Sequence, residues 1–133
     1  MRTYDEAFVE RFLTPWNAHD VEGAMALMTD DCIWEMPRGI HPHGSHFKGA
    51  PAVRAAIAKA FETMPDIAYE LLRTSFGPDL VVLELQVTGT LPGGEKAMFH
   101  ACDVMTVRDG KVAAKRSYRK VVELDTCPGP SSP

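Results

Sequence analysis

The residues best suited to chemistry lie in the last third of the chain. From Ala97 to Val107 the pattern alternates, and one face carries Ala97, Phe99, Ala101, Asp103 and Met105. Asp103 is therefore a lone carboxylate in an apolar row. The next segment carries Lys115, Ser117 and Arg119 on one face and Arg116, Tyr118 and Lys120 on the other. Buried charges need partners, so Lys115 or Arg119 is the candidate partner of Asp103. A carboxylate in that setting can take or give a proton, because burial raises its pKa while a neighbouring cation lowers it. A structural ion pair at a sheet edge is the alternative, though an expensive one for packing alone.

The run His41-Pro42-His43-Gly44-Ser45-His46 offers three imidazoles, which can ligate zinc or iron. A Gly/Pro loop does not preorganise ligands, however, and no carboxylate stands at facial-triad spacing. No metal and no cofactor is expected. A histidine acting as acid, base or hydrogen-bond donor at a pocket mouth is a second reading, and His46, nearest the following helix, is the candidate. Plain surface histidines are the third. His19 suits the end of the first helix, where a cation meets the dipole, and His100 falls on the face opposite Asp103. Trp16, Trp34, Met36, Ile57 and Phe61 would form an apolar wall around the carboxylate. Their spacing is equally that of core residues.

The elements that must hold these groups follow from periodicity. Phe8, Phe12 and Trp16 recur every four positions between Tyr4 and His19, making one stripe of an amphipathic helix. Pro15 inside that pattern predicts a kink or a break. Asp20 reads as the N-cap of a short second helix through Met28, and residues 32–36 as a strand stopped by Pro37. Arg38 to Gly49 reads as a loop, and Pro51 fits the first turn of a third helix with Val53, Ile57, Ala60, Phe61 and Met64 on its apolar face. Four strands follow, over residues 67–72, 80–88, 95–107 and 111–124, joined by turns that include Gly77-Pro78-Asp79 and Asp109-Gly110. Helices followed by an antiparallel meander mean an α+β domain, with a cavity where the sheet curls around its helices. Residues 1–124 form the expected single domain, and the Pro/Gly/Ser-rich residues 125–133 a fraying tail.

Composition narrows the partners. The 133 residues suffice for one core, and a net charge of −4 supplies no global attraction to nucleic acid or membrane. No apolar run approaches the length of a bilayer span, and the mixed-charge N-terminus lacks the apolar core of a signal peptide, so a cytoplasmic location is expected. Cys32, Cys102 and Cys127 are odd in number and have no zinc-like spacing, which predicts idle thiols.

Several runs resemble those of the SnoaL-like proteins of the nuclear-transport-factor-2-like superfamily. They are Trp16-Asn17-Ala18-His19-Asp20-Val21-Glu22, residues 29–37 (Thr29-Asp30-Asp31-Cys32-Ile33-Trp34-Glu35-Met36-Pro37), Phe47-Lys48-Gly49, residues 102–107 and Asp109-Gly110-Lys111-Val112. The resemblance spans Phe8 to about Val122 and implies a cone of one bent, mostly antiparallel sheet on three helices, usually a homodimer. Polyketide cyclases, ketosteroid isomerase, limonene epoxide hydrolase, dehydratases and catalytically silent proteins share it. In the isomerase, a protonated acid on the penultimate strand donates to an oxyanion, and Asp103 matches that position. The isomerase's tyrosine corresponds to Phe12 and its general base to Met36, neither of which can do that work, while an aromatic position corresponds to Arg119. The expectation is acid/base chemistry by Asp103 with Lys115 and His46, and substrate contacts from Phe12, Trp16, Trp34, Met36, Ile57, Phe61 and Arg119, as isomerase, cyclase, dehydratase or hydrolase. The substrate would be a partly apolar metabolite bearing a carbonyl or carboxylate. A non-catalytic dimeric module that binds a small molecule is the alternative.

Overall fold

In the computed structural model, which describes residues 4–123, Asp5 opens the first helix by accepting the Phe8 N–H at 3.1 Å. Helix α1 (Glu6–Asn17) then buries Phe8, Val9, Phe12 and Trp16 along one stripe. It does not break at Pro15. The proline stands in the last turn, where losing its own N–H costs one bond, and its carbonyl accepts the Asp20 N–H at 2.8 Å. Asp20 caps α2 (Val21–Ala26) through Gly23, as its residue type requires.

Met28 belongs not to α2 but to β1 (Met28–Glu35), which starts four residues earlier than Cys32. Its register shifts between Met28 and Ile33, and exposed Asp30 and Asp31 interrupt the alternation, so only the second half reads as a strand. A three-residue strand, β2 (His46–Lys48), pairs antiparallel with β1 inside the segment expected to be loop. Helix α3 (Ala50–Thr63) has Pro51 in its first turn and buries Val53, Ala56, Ile57 and Phe61.

Strands β3 (Ala68–Gly77), β4 (Leu80–Thr90), β5 (Lys96–Arg108) and β6 (Lys111–Arg119) complete one six-stranded sheet in the order β2-β1-β6-β5-β4-β3. All pairs are antiparallel except β1 with β6. Asp109 and Gly110 both take positive φ, 54° and 78°, in the two-residue turn between β5 and β6. Strand β6 stops at Arg119, with Val121 and Val122 exposed beyond it. Leu124, the tail and Cys127 lie outside the described residues.

One irregularity decides which side chains reach the interior. Val107 pairs with Val112 but Thr106 pairs with Ala114, so Ala113 is an extra residue in β6. A regular strand that buries Val112 would also turn Arg116 and Tyr118 inward. The bulge reverses the phase, and Lys115, Ser117 and Arg119 lie opposite Met105, Asp103 and Ala101 on the helix-covered face. That face carries the core residues Val81, Leu83, Leu85 and Val87 of β4, packed against the helices.

Candidate active site

Asp103 and Lys115 are only 4% and 5% exposed, and they meet inside this core. Lys115 Nζ lies 3.4 Å from Asp103 Oδ2. Ser117 joins them, donating from Oγ to Asp103 Oδ1 at 2.7 Å. The same Oγ accepts from Lys115 Nζ at 3.1 Å and from Trp34 Nε1 at 3.2 Å. An indole N–H and an ammonium can only donate, so both lone pairs of Ser117 are engaged and its one proton is aimed at Asp103. A hydroxyl held in this way is a positioning group and a poor nucleophile.

The ammonium of Lys115 is also boxed by aromatic faces, 4.6 Å from the Trp16 ring centroid and 4.8 Å from that of Trp34. Each such contact contributes about 0.5–2 kcal/mol once desolvated. Trp16 Nε1 is itself buried without a hydrogen-bond partner among the described residues, which leaves an unmet donor in the wall beside the cation.

The cluster opens on a chamber of about 140 Å³, lined by Met36, Ile67, Tyr69, Leu85, Phe99 and Ala101 among others, with Asp103, Lys115 and Ser117 at its polar end. A cavity near 150 Å³ accommodates one benzene-sized ring. Tyr69 reaches the chamber because the end of α1 clamps its backbone. Asn17 Nδ2 donates to the Tyr69 carbonyl at 3.0 Å, and the Tyr69 N–H donates to Asn17 Oδ1 at 2.8 Å. Nearby, His19 Nε2 donates to the Ile67 carbonyl at 2.7 Å. Burial first, and the Asp103 carboxylate second, push the Tyr69 hydroxyl far above its usual range, so it remains a proton donor.

Of the residues singled out from sequence, Asp103 and Lys115 come together, with Trp16 and Trp34 over the cation and Met36 in the chamber wall. Arg119 stands at the exposed end of β6, its guanidinium 3.8 Å from the Phe99 ring centroid. Lys115, not Arg119, is the partner of Asp103, because the ladder puts Arg119 opposite Ala101, beyond the carboxylate. Phe12 and Ile57 are 0% exposed and belong to the filled core. Phe61 packs edge-on to Trp16 at 6.0 Å and against His19 at 4.9 Å, outside the chamber lining. His46 pairs with Glu35 at 3.3 Å, and Glu35 in turn lies 3.9 Å from Arg116. That register belongs to the face of the sheet opposite Trp34 and Lys115.

His41 stacks on His43 at 5.5 Å and His43 meets His46 edge-on at 5.3 Å. No three His, Cys, Asp or Glu side chains among the described residues are grouped so as to hold a metal ion. No described helix is long and apolar enough to cross a membrane. Cys32 and Cys102 are free thiols.

Ser117 and Tyr69 were not among the site residues expected from sequence. The spacing that placed Lys115 and Arg119 on one face includes Ser117, so the signal was present. Tyr69 carried no comparable mark, since its row Ile67-Tyr69-Leu71 reads as ordinary core.

A family model described as a SnoaL-like domain matches residues 9–115. No curated protein matches the chain. Among solved structures, a hypothetical protein with a ketosteroid isomerase-like fold from Catenulispora acidiphila DSM 44928, in complex with trimethylamine, gives a TM-score of 0.74 at 13% identity, covering 86% of both chains. TerC co-crystallised with polyporic acid gives 0.75 at 19% identity, over 86% of this chain and 89% of that one. An NTF2-like protein from Anabaena variabilis ATCC 29413 gives 0.74 at 17% identity, over 87% and 86%. At these identities the likeness is one of fold.

Proposed function

The chain belongs to the SnoaL-like family, and on that premise we propose that it is an enzyme performing acid/base chemistry at a carbonyl-bearing, partly apolar small molecule. The observation that carries this reading is the buried Asp103–Ser117–Lys115 cluster at the polar end of an otherwise apolar, ring-sized chamber. Burying both ions costs several kcal/mol each before their attraction offsets it, and leucine-like residues would fill the space without that cost. Two structural neighbours hold small molecules, trimethylamine in one and polyporic acid in the other, which supports a small-molecule ligand for this chain.

In the proposed reaction, Asp103 removes a proton from the carbon beside the carbonyl. The carbonyl oxygen becomes an enolate oxygen, met by the Lys115 ammonium or the Tyr69 hydroxyl. The proton then returns to another carbon, as in isomerisation, or the enolate carbon attacks a second carbonyl within the molecule, whose oxygen takes the proton back from Asp103, as in cyclisation. Dehydration and hydrolysis use the same pair of groups. Tyr69 supplies a hydroxyl where Phe12 has none, and Asp103 serves as base where Met36 cannot. The protein would work in the cytoplasm as a homodimer joined through the outer sheet face, where Met98 and Tyr118 are 62% and 57% exposed.

A non-catalytic binding module is the competing reading, and the engagement of both Asp103 oxygens by Ser117 and Lys115 favours it. Melting-shift screening of small cyclic ketones, followed by turnover assays of each hit, separates the two. Turnover that disappears in a folded Asp103→Asn variant supports the enzyme. Stabilisation by ligands that are never converted supports the binding module.

A further inference from the structure

Outside the chamber lies a larger cleft of about 560 Å³ whose charge is opposite to that of the whole protein. The chain carries −4 overall, yet Arg38, Arg116 and Arg119 line this cleft against a single carboxylate, Glu35. Glu35 is shared between His46 at 3.3 Å and Arg116 at 3.9 Å. Among the described residues no carboxylate forms an ion pair with Arg38 or Arg119. Arg116 is oriented by its bond to Thr106 Oγ1 at 3.0 Å, and Arg119 by the Phe99 ring.

The loop that carries Arg38 is folded tightly on itself. The Met36 N–H donates to the Ser45 carbonyl at 2.9 Å and the Ser45 N–H to the Arg38 carbonyl at 2.8 Å. Gly44, at φ 78°, passes so close to Met36 that a Cβ would stand 1.9 Å from the Met36 carbonyl oxygen. The arginine is thus presented from a fixed backbone, which lowers the ordering cost of binding. Met36, Pro37, Ser117 and Tyr118 line both the cleft and the chamber, so the two spaces adjoin.

We propose that this cleft is an anion-binding vestibule, in which Arg38 and Arg119 grip a carboxylate or phosphate on a substrate whose carbonyl-bearing ring enters the chamber. The chamber holds only about one ring, so the rest of a metabolite-sized substrate extends into the cleft. Guanidinium groups engage carboxylate and phosphate oxygens in bidentate fashion. The substrate class is then an acidic ketone rather than a neutral one. This deepens the reading of the chamber as the reaction site and rests on it for the placement of the ring.

The test compares oxocyclohexanecarboxylate with its uncharged carboxamide by NMR titration of the wild-type protein and of Arg38→Gln/Arg119→Gln. The wild type should bind the acid about tenfold or more tightly than the amide, equivalent to about 1.4 kcal/mol, with a preference that weakens in salt. The double variant should lose the preference, binding acid and amide with similar affinity. Inorganic phosphate as competitor identifies the group: displacement of the acid at comparable concentration assigns phosphate, and no displacement assigns carboxylate. Equal affinity for acid and amide in the wild type, or a preference that survives in the variant, overturns the vestibule. If the preference behaves as expected but the Leu85 and Trp34 resonances do not move, the vestibule stands and the chamber reading fails.

Discussion

Replacing Lys115 by methionine isolates what the buried ion pair does. The methionine fills most of the lysine's volume and keeps contact with the Trp16 and Trp34 rings, but it removes the ammonium 3.4 Å from Asp103 Oδ2. Asp103 then keeps one donor, Ser117, in a site only 4% exposed. Breaking a buried pair from one side costs about 3–5 kcal/mol, because the remaining charge is stranded. For 133 residues, an unfolding entropy of roughly 2.1 cal/mol/K per residue gives about 0.28 kcal/mol/K, so the melting temperature should fall by about 11–18 °C. Asp103→Asn should cost less, because the stranded ammonium keeps two aromatic faces and the Ser117 oxygen. Asp103→Asn/Lys115→Met should recover much of the loss, giving a coupling energy of 1 kcal/mol or more by order of magnitude. Urea and thermal melts of the four proteins measure the cycle. A Lys115→Met cost below about 1 kcal/mol, or costs that simply add, would refute a tightly coupled buried pair.

Three further outcomes are expected. Inserting one alanine after Ala113 slides Lys115 and Ser117 out of register with Met105 and Asp103, whereas deleting Ala113 leaves a regular ladder with the same partners; the insertion should therefore lower the melting temperature far more than the deletion, and equal losses would contradict the bulge's role. Tyr69 holds its proton more tightly folded than unfolded, so the stability it confers is complete below pH ~10 and is lost as pH rises beyond that. Its phenolate absorbance should accordingly appear only with unfolding, and Tyr69→Phe should delete that late signal rather than one in the ordinary range. Ser117→Ala leaves the Trp34 N–H unmet and takes an acceptor from Lys115, so chemical denaturation should register a loss of about 1–3 kcal/mol; a neutral effect would mean that the hydroxyl is not the hub.

The legible parts of the sequence were those written in long periods. The Phe8-Phe12-Trp16 stripe, the alternation of β4 and the Asp109-Gly110 turn each repeat or use residues with one strong preference, and each forms as read. Strand β2 has three residues, too few for a period, and Asp30-Asp31 hides the start of β1. The isolation of Asp103 on an apolar face was visible, and its partner was narrowed to Lys115 or Arg119 without a choice between them. That choice is made by the β5–β6 register, which depends on Ala113, a bulge residue that nothing in its own chemistry marks. Tyr69 enters the site through a backbone clamp from Asn17, 52 positions away, and no local pattern records such a contact. The cationic cleft is likewise a product of folding, since Arg38 and the Arg116–Arg119 segment are far apart in sequence.

If Asp103 works as a base on a ketone in the chamber, the protein must catalyse exchange of the protons beside the carbonyl. Small cyclic ketones and their carboxylates would be incubated with the protein in deuterium oxide and followed by proton NMR. The wild type should accelerate deuterium incorporation at those carbons, and a folded Asp103→Asn should lose about a hundredfold or more of the acceleration. Equal exchange in the two proteins, or no exchange by wild type with a ketone bound beside Asp103, would rule out Asp103 as the base.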